Sequence, residues 1–300
     1  MSLRSENGGV VMPFVSRILV PIEFSPRCQG AVQYAGALAC HLHCETTLLH
    51  VVTPFANIYG SPEGIAFADN ADVTAGWVTQ TKAELEGFMC VELQGLPVTR
   101  VVLEGDPAPV IADFAATGKF GLIVMPTHGY GPFRRFLLGS VTAKVLHDAC
   151  CPVWTGPHME QAPDRASIRF RKIFCAIDFG PDTGAVLEWA ANFAQEFGAA
   201  LTIVYAIPDY YGGIYFDAEW RTEMSRNARE QIAALQGELP IHAEVSIETG
   251  DIPAAVSSAA QQGNADVLVI GRGRASGALG RLRANAYAIL RESPCPVVTV

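Results

Sequence analysis

The chain is short of charge. Asp, Glu, Lys and Arg make up 17% of its 300 residues, and the balance is acidic, −9 at pH 7. That excludes the basic footprint of a nucleic-acid binder. No apolar run approaches the roughly 20 residues that span a bilayer, and the start, MSLRSENGGVVMPF, lacks the apolar core of a signal peptide. The expectation is a cytoplasmic protein that meets neither membrane nor nucleic acid. Eight cysteines (28, 40, 44, 90, 150, 151, 175 and 295) show no regular pairing. Several sit inside apolar patterns, as small hydrophobes in a reducing compartment do. No Ser-His-Asp constellation or pair of catalytic carboxylates is evident. His41, His43 and Cys44 have metal-ligand chemistry, but no second cluster completes a tetrahedral set, so the run is read as structural or solvated.

What the chain does have is a repeat. RILVPIEFSP (17–26) matches KIFCAIDFGP (172–181), and TLLHVV (47–52) matches TIVYAI (202–207) at the same offset. EGDPAPVIADFA (104–115) matches TGDIPAAVSSAA (249–260), and ACCPVW (149–154) pairs with SPCPVV (293–298). Four blocks in one order mark a module written twice. The domains are therefore expected at 1–156 and 170–300, each of ordinary size. The intervening linker holds two prolines and mixed charge.

Each half alternates strand and helix. Strands are expected near 17–22, 46–52, 98–103, 120–126 and 152–155, and again near 172–177, 201–207, 241–247, 265–270 and 296–300. Several are apolar on both faces, as in a parallel sheet covered on two sides. First-half helices are expected near 26–43, 73–93, 107–118 and 139–149. Pro26, Pro107 and Pro181 fall at helix starts, and Asp106 and Asp251 are natural N-caps. Such βαβα alternation predicts right-handed crossovers and a doubly wound sheet, with ligands beyond the strands' C-terminal ends. The segments 54–72 and 208–217 follow such ends and are candidate lids.

The stretch FGLIVMPTHGYGPFRRFLLGSVT (120–142) is the most telling. It reads as a buried strand, a glycine-bearing loop and a helix start. A helix N-terminus presents unpaired N–H groups and the positive end of its dipole, which together favour a phosphate. Gly129 and Gly139 bracket nine residues, and Ser140 follows at once. The corresponding place in the second half carries Gly271, Arg274 and Ala284-Asn285 instead, an eroded loop. Its arginines (272, 274, 281 and 283) attract an anion on one reading and cover an interface or a solvated face on the other.

On these residues the chain resembles a tandem universal stress protein. The family's nucleotide motif, G-x-x-G-x9-G-[ST] after strand four, matches Gly129, Gly139 and Ser140, with Pro126 in place of its first glycine. The P-x-D-x-S signature appears as Pro21-Ile22-Glu23-Phe24-Ser25, with Glu23 where Asp is usual. The H-V, G-x-P and C-P-V motifs appear as His50-Val51, Gly105-Asp106-Pro107 and the last strand of each half. The resemblance implies an α/β, Rossmann-like fold of two doubly wound five-stranded parallel sheets, each in the order 3-2-1-4-5. It also implies an adenine nucleotide in the first half: ATP, or alternatively AMP or ADP, with Mg²⁺ as a bridging ion.

The implied site comprises Pro21, Ile22, Glu23, Val51, Thr127, His128, Gly129, Gly139, Ser140 and Val141. Glu23 would meet the ribose, the adenine side or a metal, and Val51 would offer backbone groups to the base. Arg134 and Arg135 are further phosphate candidates. Three readings stay open: a regulatory protein that binds ATP without efficient turnover, a slow ATPase, and a nucleotide-free interaction module. The S-G-G-x-D-S loop of related ATP pyrophosphatases is absent, since EFSPRCQG stands there. The resemblance further implies that the two last strands pair as an internal pseudo-dimer, with a homodimer and an unidentified protein partner beyond it.

Overall fold

A computed structural model describes residues 14–53, 71–127, 138–156, 159, 165, 168–211, 214–215, 217–239, 241–273 and 284–300. In the first half, β1 (Arg17–Pro21), α1 (Pro26–Leu42), β2 (Glu45–Val52), α2 (Ala71–Gly87), β3 (Val98–Glu104), α3 (Pro107–Thr117), β4 (Leu122–Val124), α4 (Ser140–Asp148) and β5 (Val153–Thr155) follow in order. The second half runs β6 (Lys172–Ile177), α5 (Thr183–Phe197), β7 (Ala200–Ile207), β8 (Tyr210–Tyr211), β9 (Ile214–Tyr215), α6 (Ala218–Glu238), β10 (Glu244–Thr249), α7 (Ile252–Gly263), β11 (Val267–Ile270), α8 (Ala284–Glu292) and β12 (Val297–Thr299).

Ten strands form one sheet in the order β10-β7-β6-β11-β12-β5-β4-β1-β2-β3. Within each half the pairing is parallel and the order is 3-2-1-4-5. The two five-stranded sheets run on into each other because β12 and β5 pair antiparallel, with Val298 opposite Trp154. Each strand thereby covers the edge that the other would leave open.

Successive residues of a strand point to opposite faces, and two cores result. Ile18, Val20, Leu122, Val124 and Trp154 join one core with α1 and α5 residues, and Leu85 and Ile232 bring in α2 and α6. Leu19, Ile123 and Val153 join the other with residues of α3, α4, α7 and α8. Both cores contain residues of both halves. Trp154, wholly buried, meets Tyr34 from the first half and Phe170 and Phe193 from the second, at ring distances of 6.1, 5.5 and 5.7 Å.

Arg272 adds a polar tie at the same junction. It is buried, and its guanidinium donates to the carbonyls of Ala149 and Cys151 in the first half. Of the two readings of this arginine, the structure supports interface cover. His41 also bridges the halves: Nε2–H donates to the Glu196 carbonyl at 3.2 Å, and the ring stacks on Phe197 at 4.0 Å.

Several local expectations shift. The second helix ends at Gly87 rather than near 93, and the chain then turns through Met89 and Gly95, both at positive φ. Pro26 and Pro107 open their helices as expected. Pro181 lies before the N-cap Asp182, so α5 starts later in its copy than α1 does. Asp251 caps α7 by accepting from the Ala254 amide. Asp106 sits at the N-cap of α3 without making that bond, and its carboxylate lies 3.5 Å from Lys144 instead. Part of the aromatic 208–217 segment folds as the β8–β9 hairpin. The greater part of 54–72 lies outside the described residues.

Candidate functional site

The C-terminal ends of β1 and β4 diverge at the switch in strand order, and the first half has a cavity of about 320 Å³ there. Its walls include Pro21, Ile22, Glu23, Val51, Gly139, Ser140 and Val141. Seven of the ten residues expected at the site are thus gathered around one space. Thr127 is buried beside it, and its carbonyl accepts from the Gly139 amide at 2.8 Å. His128 and Gly129 lie outside the described residues, as do Arg134 and Arg135.

The β1–α1 turn sets the acidic corner. Phe24 adopts φ +61, a region that bulky residues rarely enter. Phe179, its counterpart in the second half, does the same at φ +52. Past the turn, Ser25 caps α1 by accepting from the Cys28 amide at 3.3 Å, and its hydroxyl donates to Glu23 Oε1 at 2.8 Å. The exposed Glu23 carboxylate is thereby held at the mouth of the cavity.

The opposite wall is the start of α4. Gly139 is the N-cap, and Ser140 is the first helical residue. No side chain among the described residues caps this end. The Gly139 amide donates to the Thr127 carbonyl, and the first-turn residues Ser140, Val141 and Thr142 all stand on the cavity wall. Thr142 Oγ1 donates to the Pro126 carbonyl at 3.0 Å and ties the helix start to the end of β4. Pro126 joins this tie through its carbonyl and has no N–H of its own.

Thr142, Cys28 and His50 also line the cavity but were not assigned to it from sequence. Thr142 had a readable signal, a hydroxyl in the first turn after Gly139. Cys28 had only its position one turn into α1. Its Sγ accepts from the Glu23 amide at 3.2 Å and lies 3.5 Å from the Pro21 carbonyl, and burial pushes the thiol up to about 12. His50 was legible only as a motif letter. Its Nδ1 lies 2.7 Å from the Ile22 carbonyl and must donate to it. Burial lowers its pKa, against the opposing pull of that hydrogen bond and of Glu84. Its ring packs on Phe24 at 4.9 Å.

The second half keeps a cavity at the corresponding place, about 290 Å³, which the eroded loop did not foretell. Asp178 stands in the place of Glu23, Tyr205 in that of His50, and Asn285 and Ala286 in those of Ser140 and Val141.

The sequence profile described as the universal stress protein family matches residues 15–155 and again 169–300. The chain belongs to the universal stress protein family. A universal stress protein of Methanocaldococcus jannaschii is 46% identical over 59 residues, 20% of this chain and 35% of that protein. One from Mycobacterium bovis is 26% identical over 64% of this chain and 63% of its own length. The chain thus spans less than two thirds of these curated relatives. A universal stress protein from Thermus aquaticus is 30% identical over 45% of this chain and 94% of its own. The crystal structure of a universal stress protein from Archaeoglobus fulgidus shares the fold, with TM-score 0.67, 22% identity and coverage of 95% of this chain and 96% of that one. No helix among the described residues is long and apolar enough to cross a membrane.

Proposed function

We propose that the first-half cavity is an adenine-nucleotide site and that the protein is a cytoplasmic regulatory member of its family, built as two domains, 1–156 and 170–300. The observation that carries this reading is the uncapped start of α4. Three successive first-turn residues border the cavity, and no side chain among the described residues fills the cap position. An anion placed there meets N–H donors and the helix dipole together, an interaction of order 0.3–2 kcal/mol for the dipole alone. The base lies between the apolar walls given by Ile22, Val51, Ile111 and Met125. Backbone groups of β2 recognise it, and Glu23 meets the ribose hydroxyls or a Mg²⁺ bridged to phosphate. A triphosphate gains most from the amide cradle, so ATP is preferred to AMP or ADP.

Equilibrium dialysis of the full chain against ATP, ADP and AMP tests the proposal. It expects one nucleotide per chain, with affinity rising from AMP to ATP. No uptake at millimolar ATP refutes it.

A further inference from the structure

The turn between α4 and β5 carries two adjacent cysteines, Cys150 and Cys151. We propose that they are a redox modification site: a small-molecule disulfide oxidises them to a vicinal disulfide, and closing that ring loosens the hold of Arg272 across the two halves. The proposal stands independently of the nucleotide reading.

The two thiols divide the roles that such a reaction needs. Cys150 is exposed, and Cys151 beside it is 7% exposed. The Cys151 thiol donates a hydrogen bond to the Cys150 thiol, so the two sulfurs face each other. Burial pushes Cys151 up to about 12, so it keeps its proton while Cys150 meets the reagent. Cys150, as thiolate, attacks one sulfur of the disulfide RSSR; that S–S bond breaks and the first RS⁻ leaves, taking up the proton that Cys150 shed to water. Cys151 then attacks the Cys150 sulfur, and its proton ends on the second departing RS⁻. The cysteine pair loses two electrons, the reagent gains them, and two RSH result.

The backbone that must move is the one that ties the halves. Neighbouring Cα atoms lie about 3.8 Å apart across a trans peptide, against roughly 5.5–6 Å in most disulfides. Ring closure therefore twists the 150–151 peptide, and a bond strained in this way is readily reduced again. The carbonyls of Ala149 and Cys151 flank that peptide, and both accept from the buried guanidinium of Arg272. Twisting the peptide between them draws at least one out of reach of the fork. The second copy lacks the device. Pro294 stands where the first copy has Cys150. Ser293 Oγ donates to the Cys295 carbonyl at 2.7 Å and accepts from the Cys295 amide at 3.3 Å, so that turn is pinned and holds a single thiol.

The test adds an excess of a chromogenic disulfide to the native full chain. Cys40, Cys90 and Cys150 release three equivalents of chromophore in a fast phase. Ring closure releases a fourth in a slower phase, and the peptide that holds both cysteines then lacks two hydrogens and carries no reagent. Cys150→Ser should release two equivalents and Cys151→Ala three, neither with the slow phase. Against reagent-treated Cys150→Ser, the closed chain should melt about 4 °C lower, from the loss of a charge-assisted hydrogen bond. That difference should vanish in an Arg272→Met background. A fourth equivalent that never comes, or that persists in Cys151→Ala, overturns the site. A closed pair with unchanged melting temperature, or with the same fall in Arg272→Met, overturns the coupling to the junction.

Discussion

Truncating Trp154 probes whether the halves share one core. The side chain is wholly buried at the strand where β5 meets β12, among rings from both halves. Large-to-small changes of this kind cost about 3–5 kcal/mol, from lost transfer energy plus the cavity left behind. Part of any aromatic pairing, about 0.5–1.5 kcal/mol per pair, goes with it. Trp154→Ala should therefore lose about 4 kcal/mol from a total stability that is typically about 5–15 kcal/mol. At roughly 2 °C per kcal/mol for a chain of this size, the melting temperature falls by about 8 °C. Trp154→Phe is the informative partner. The indole Nε1–H has no hydrogen-bond partner among the described residues, and burying such a donor costs about 1–3 kcal/mol. Phenylalanine removes that penalty while keeping most of the ring, so its net cost should stay below about 1 kcal/mol. Urea unfolding followed by far-ultraviolet circular dichroism measures both. An alanine variant within about 1 kcal/mol of wild type, or a phenylalanine variant as damaging as alanine, would refute the reasoning.

Other outcomes follow from the same geometry. Thr142→Val removes the hydroxyl that ties α4 to Pro126; it should cost about 1–2 kcal/mol in unfolding and weaken ATP in dialysis by loosening the helix start. Burial lowers the His50 pKa below its ordinary 6.5, so the unfolded chain takes up the proton first as pH falls. The His50 contribution is therefore full above about 6.5 and lost on acidification toward the folded pKa, and His50→Gln should flatten the stability–pH curve between pH 7 and 5. Of the eight thiols, Cys40, Cys90 and Cys150 are exposed, while burial pushes Cys28, Cys44 and Cys151 up to about 12 and Cys295 up to about 11 and raises Cys175 as well. A chromogenic disulfide reagent at pH 8 should titrate three thiols quickly in native protein and eight in denaturant.

The duplicated α/β architecture was legible because periodicity and repeat report burial directly: strands apolar on both faces leave little choice of layer. The location of the first-half cavity was legible for the same reason, since topology alone puts one beyond β1 and β4. What escaped was conformational and cooperative. Phe24 and Phe179 sit at positive φ with no glycine or asparagine to announce it. The Gly139 amide donates to the Thr127 carbonyl across the loop, a tie that no motif announces. The second cavity was hidden because a degraded glycine motif speaks to phosphate contact and not to space. Side chains from α5, α7 and the ends of β6 and β7 keep it open. Arg272 could not be assigned from sequence, because its partners, Ala149 and Cys151, lie more than 120 residues away along the chain.

One substitution isolates the amide cradle at α4. Proline at the first helical position costs the helix nothing, since that N–H is unpaired within it, and the extended backbone of Gly139, ψ 145, suits a following proline. Ser140→Pro thus deletes one donor from the cavity wall and leaves the fold intact, while Ser140→Ala deletes only the hydroxyl. With ATP as ligand, the account predicts that Ser140→Pro binds at least about tenfold more weakly than Ser140→Ala, at unchanged melting temperature. Equal affinities for the two variants would contradict it.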